Sequence, residues 1–186
     1  VGFEMYSQLL EEAINKRQGK TQVRRKGNSE FNLQIDAYLP SDYISDERQK
    51  IEIYKRIREI ENQKDYQYLQ DELIDRFGEY PDQVAYLIEI GLVKAYLDAA
   101  FAELVERKND TIIVRFEKAS LKFFLTQDYF EAISKTHLKA KISDNQGKVE
   151  ITFDIRNKKD YEILEELKIF GQTFMEIKER KEKKEA

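Results

Sequence analysis

At 186 residues the chain has the size of one generous domain, and 37% charged against 41% hydrophobic residues, with eleven Phe and eleven Tyr, describe a packed core under a heavily solvated exterior. Cysteine is absent, which excludes thiol chemistry, thiolate metal sites and a disulfide framework and makes a cytoplasmic, reducing compartment the default. The net charge of -4 argues against a surface wholly given to nucleic acid, and no apolar run approaches the ~20 residues that cross a bilayer, so no membrane partner is expected.

The chain opens Val1-Gly2-Phe3 without Met and enters helical periodicity at once, which reads as part of a longer polypeptide. Phe3, Tyr6, Leu10, Ala13 and Ile14 recur at helical spacing and predict an amphipathic helix over 1–18. Lys16, Arg17, Lys20, Arg24, Arg25 and Lys26 follow with no acid among them, predicting a basic flexible linker over 19–30. Phe31, Leu33, Ile35 and Ala37 then alternate with polar residues until Pro40, the period of a half-buried lone strand.

Asp46 is placed to cap a helix running to about Glu61, and a second helix is expected from about Lys64 to Phe77, closed by a left-handed Gly78. Pro81 suits the start of the next, whose stripe of Val84, Leu87, Ile88, Leu92, Ala95, Tyr96 and Ala99 marks it as the central helix. Asn109-Asp110 predicts a hairpin between Leu104–Lys108 and Thr111–Phe116. A short helix is expected over 127–135, then a second hairpin, 138–143 with 148–155, joined by Asp144-Asn145-Gln146-Gly147. Ile163, Leu164, Leu167, Phe170, Phe174 and Ile177 stripe a last helix from Asp160, and 179–186, lacking an apolar anchor, is expected to be a disordered tail. About six helices, a lone strand and two β-hairpins indicate an α+β fold, with 31–178 as a single compact domain.

Catalytic signatures are missing. Gly19-Lys20-Thr21 follows a helix rather than a strand and lacks the first glycine of a phosphate loop, and there is no Gly-x-Ser-x-Gly or His-Glu-x-x-His. His137, the only histidine, stands at a helix–strand junction, where it can serve as a helix-end cation or as a general base. A carboxylate hydrolase would need an enclosed pocket around a perturbed acid. No catalytic residue, cofactor or metal is assigned.

In Glu72-Leu73-Ile74-Asp75-Arg76-Phe77-Gly78 the helical period sets Glu72, Asp75 and Arg76 within about 100° of arc, beside the stripe of Leu69, Leu73 and Phe77. Spacing alone admits two readings. One is an i, i+4 Glu72–Arg76 pair on a solvated face; the other is a rigid mixed-charge patch that docks on a partner.

Tyr38-Leu39-Pro40 through Tyr43-Ile44-Ser45-Asp46-Glu47-Arg48, then Ile53-Tyr54-Lys55-Arg56-Ile57, then Glu72 to Gly78 with Pro81, resemble in order and spacing the C-terminal domain of bacterial transcription-repair coupling factor (Mfd). Gly2 to Tyr6 and Leu10 to Ala13 resemble the helix leading out of that family's translocase part. Ser45 departs from the family's usual proline, and Phe101-Ala102-Glu103 lacks the glycine that often precedes the first hairpin. The resemblance implies a non-catalytic, autoinhibitory domain that clamps the N-terminal UvrB-like module of the same polypeptide and masks the surface recruiting UvrA. It implies contact with RNA polymerase and DNA only through the parent, an ATP-driven translocase. It also places Glu72, Asp75 and Arg76 at the partner interface. The alternative is a weak nucleic-acid contact through the basic stretch 16–26, although no aromatic residue interleaves those cations.

Overall fold

The computed structural model describes residues 29–185. The expected leading helix, the basic stretch 16–26 with Gly19-Lys20-Thr21, and most of the expected linker 19–30 lie outside the described residues. Among the described residues, five α-helices and a five-stranded sheet make the fold α+β, as expected. By chain contacts these residues form two compact units, one of Ile35–Ala95 and one of 29–34 with 96–185.

The first unit holds α1 (Glu47–Arg58), α2 (Gln63–Phe77) and most of α3 (Asp82–Ala99). Its helix ends follow from side-chain and backbone caps. Asp46 accepts the Gln49 N–H at 3.0 Å, Asn62 accepts that of Asp65 at 2.9 Å, and the Pro81 carbonyl accepts those of Val84 and Ala85. Gly78 closes α2 with φ 84° and ψ -173°, a glycine-only region beyond the left-handed helical well expected for it. Ile53, Tyr54 and Ile57 of α1, Leu69 and Leu73 of α2, and Val84, Leu87, Ile88 and Leu92 of α3 form the core. Tyr54 reaches the strand-like segment before α1, its hydroxyl accepting the Leu39 N–H at 2.9 Å. Burial on α3 also takes in Ile90, Gly91, Val93 and Leu97, a wider face than the predicted stripe.

The second unit is built on a sheet of β1 (Glu30–Asn32), β2 (Ala102–Lys108), β3 (Thr111–Phe116), β4 (Ala140–Asn145) and β5 (Lys148–Asp154), ordered β1-β2-β3-β5-β4. Ser29 and Glu30, assigned to the linker from sequence, already belong to it: Ser29 donates from N and Oγ to Asp98 Oδ1 at 3.2 and 2.5 Å. The predicted lone strand pairs parallel to β2, with Phe31 opposite Val105, for only three residues. Gln34, at φ 54°, then turns the chain off the ladder, while the alternation of burial continues through Leu33, Ala37 and Leu39.

Both hairpins form. Asn109, at φ 53°, turns the first, and the second is tighter than expected: Asn145 pairs with Lys148, leaving Gln146 and Gly147, both at positive φ, as a two-residue turn. Phe101, where the glycine is missing, takes φ 66° and stacks on Phe123 at 4.9 Å between centroids.

One face of the sheet carries Val105, Ile112, Val114, Phe116, Ile151 and Phe153, all fully buried. Phe116, Tyr129 of α4 (Thr126–Ser134) and Phe170 and Phe174 of α5 (Asp160–Glu185) form an edge-on aromatic cluster with Phe124 and Phe153. Gly171 lets α5 lie against Tyr96, whose Cβ would be 2.8 Å from an added methyl, so this glycine serves close packing. Helix α5 also continues through the expected disordered tail to Glu185. Polar ties hold it where apolar anchors are lacking: Arg180 donates to Glu131 at 2.9 Å, and Lys181 donates to Asp128 at 2.5 Å and to the Phe123 carbonyl at 3.1 Å.

Candidate partner interface on the α1–α2 edge

The three residues singled out from sequence lie on the last two turns of α2. Leu69 and Leu73, fully buried, fix the helix's rotation, so positions 72, 75 and 76 face away from the core. The C-terminus of α2 is clipped by Tyr43, whose hydroxyl bonds the Gly78 carbonyl at 2.8 Å and that of Leu73 at 3.2 Å while its ring meets Phe77 at 5.9 Å. Burial, with Tyr80 nearby, pushes the Tyr43 phenol above the ordinary tyrosine value.

The three do not stand alone. Glu72 Oε2 accepts from Arg56 of α1 and from Arg76 Nη1 at 3.2 Å, and Arg76 Nη1 also donates to Glu52 Oε1 of α1 at 3.0 Å. The Arg76 guanidinium rests 4.9 Å above the Phe77 ring. Acid and base therefore alternate across two helices as Glu52–Arg76–Glu72–Arg56, with the Arg56 and Glu72 side chains only 27% and 29% exposed. Asp75 is exposed and its side chain makes no ion pair or hydrogen bond among the described residues. The i, i+4 pair of the first reading exists, and it belongs to a network that joins α1 to α2. Sequence reading missed Glu52 and Arg56. The available signal was their own i, i+4 Glu-to-Arg spacing, which repeats that of Glu72 and Arg76.

Other candidates gather less. His137 is largely exposed, with its N–H and Nδ1 on the two oxygens of Glu166 at 2.6 and 3.0 Å. An open cleft of about 220 Å³ lies beside α1 and α2, lined by Arg56, Glu59, Ile60, Asp65, Tyr68 and Leu69. Its Asp65 is occupied in accepting the Glu61 N–H at 3.0 Å. Among the described residues, no cluster of three or more His, Asp or Glu could hold a metal, and no helix is long and apolar enough to cross a membrane.

Fold and edge together define an α+β module that presents an ordered mixed-charge surface on a capped helix. The model of the TRCF domain matches residues 33–126, a span holding α1, α2, α3 and the first hairpin. The chain belongs to the TRCF domain family. It is 42% identical over 112 residues to the transcription-repair-coupling factor of Bacillus subtilis (strain 168), covering 60% of this chain and 10% of that one. To the factor of Staphylococcus aureus (strain USA300) it is 34% identical over 158 residues, covering 84% and 14%. A crystal structure of the C-terminal domain of transcription-repair coupling factor superposes with a TM-score of 0.82 at 62% identity, covering 86% of this chain and 99% of the other. The chain thus corresponds to the C-terminal domain of such factors and spans about a tenth of the length of the curated relatives it matches.

Proposed function

We propose that the chain is the non-catalytic regulatory clamp of a transcription-repair coupling factor, docking the α1–α2 edge on the N-terminal UvrB-like module of the same polypeptide and so masking the surface that recruits UvrA. Residues 1–18 lead out of the translocase part, 19–30 connect, and the C-terminal domain from residue 31 docks; polymerase and DNA are engaged through the parent. The carrying observation is the edge itself: Asp75 exposed, with Glu72 and Arg76 tied in an ordered network, inside the family-matched span.

Such an edge suits a reversible latch. Residues 71–79 carry Asp71, Glu72, Asp75 and Glu79 against Arg76, so a basic partner face is attracted, and rim charges give specificity and salt sensitivity rather than permanent adhesion. Contacts present only in the closed state lower the population able to bind UvrA, and about 1.4 kcal/mol of such contact energy gives a tenfold effect. Reversing all three charges, Glu72→Lys, Asp75→Lys and Arg76→Glu, is expected to leave the chain folded and to weaken its binding to the N-terminal module supplied in trans. Binding unchanged by the reversal refutes the proposal.

A further inference from the structure

We infer that Glu52 and Arg56 of α1 are the positioning residues of the α2 latch, setting the geometry and the charge it presents before a partner arrives; this rests on the clamp reading above. Glutamate and arginine side chains lose much rotamer freedom when they are immobilised. A docking surface made of them binds more tightly if that loss has already been met inside the free domain. Here it has been. Glu72 is held between two guanidinium groups and Arg76 between two carboxylates, with the outer member of each set coming from α1. Helix α1 is a firm base, since Ile53, Tyr54 and Ile57, which surround those two positions in sequence, are at most 1% exposed.

The same network decides what an approaching surface meets. Arg56 offsets Glu72 and Glu52 offsets Arg76, so the four charges cancel in pairs and Asp75 carries the outward charge, with Asp71 exposed one turn before it and Glu79 exposed just past the helix end. Removing Arg56 leaves Glu72 an unoffset second acid in a new rotamer. Removing Glu52 frees Arg76 from α1. Both changes act on docking through residues already assigned to the interface, without contact of their own.

The test measures binding of the 186-residue chain to the parent's N-terminal module by calorimetry across a salt series, with a thermal melt of every variant. Arg56→Leu keeps apolar bulk without the charge and is expected to dock about tenfold more weakly at high salt, where screening removes the extra attraction of an unoffset Glu72 for a basic face. Arg56→Lys, with the charge but not the planar fork, is expected between it and the native chain. The Arg56–Glu72 pair is part-exposed, so the melting temperature of Arg56→Leu is expected to move little while its docking falls. A purely structural role would lower both together. If Arg56→Leu docks like the native chain while Asp75→Lys does not, this inference is overturned and the clamp reading stands. If Asp75→Lys docks normally, or the native chain does not dock, both fall together.

Discussion

Replacing Gly91 by alanine sets two effects of opposite sign against each other where α3 packs on α1. In mid-helix, alanine is favoured over glycine by about 1 kcal/mol. The added Cβ, however, would lie 2.8 Å from Ile57 Cγ2, 3.0 Å from the Ile57 carbonyl oxygen and 3.4 Å from Ile60 Cδ1. Neither nearer atom can swing aside, because a β-branched side chain in a helix has one strongly preferred rotamer and the carbonyl is fixed in the backbone. The helices must separate instead, and forcing a methyl into a filled core costs about 1–3 kcal/mol. The expected net is a loss of about 1 kcal/mol, read as a lower urea midpoint by circular dichroism. Arg56 directly precedes Ile57, so a displaced α1 also shifts its guanidinium from Glu72 and weakens docking. A midpoint equal to or above that of the native chain would show that the contact yields freely and that the packing argument is wrong.

Two further outcomes follow from the second unit. Glu150 is held below the ordinary carboxylate value by the hydrogen bond from Asn145 and by Arg115, against the opposing effect of burial. Its contribution to stability is therefore present above pH 4.5, the ordinary value, and lost as pH falls through the lower folded one; Glu150→Gln should flatten the acid limb of a melting-temperature profile. Lys181→Met removes the cation bonded to Asp128, a carboxylate only 5% exposed that also accepts the Leu125 N–H at 2.7 Å. The expected cost is about 1–3 kcal/mol, with faster amide exchange over 178–185; unchanged exchange there would show that this tie does not hold the end of α5.

Local chemistry determined much of this protein. Asp46, Asn62 and Gly78 set helix ends through their own side chains or backbone freedom, Asn109 turned a hairpin, and apolar spacing marked α2 and α5, because each signal acts over a few residues. The Glu72, Asp75 and Arg76 arc was legible for the same reason, being a property of one helix. Tertiary structure decided the rest. That Arg56 and Glu52 complete the edge depends on how α1 packs beside α2, and that β1 pairs with β2 for three residues depends on a strand seventy positions away. The reach of α5 to Glu185 was hidden because Lys181 and Arg180 are anchored by acids of α4, some fifty residues earlier. Periodicity registers which face of an element is apolar; which charges meet across elements is settled only when the core brings those faces together.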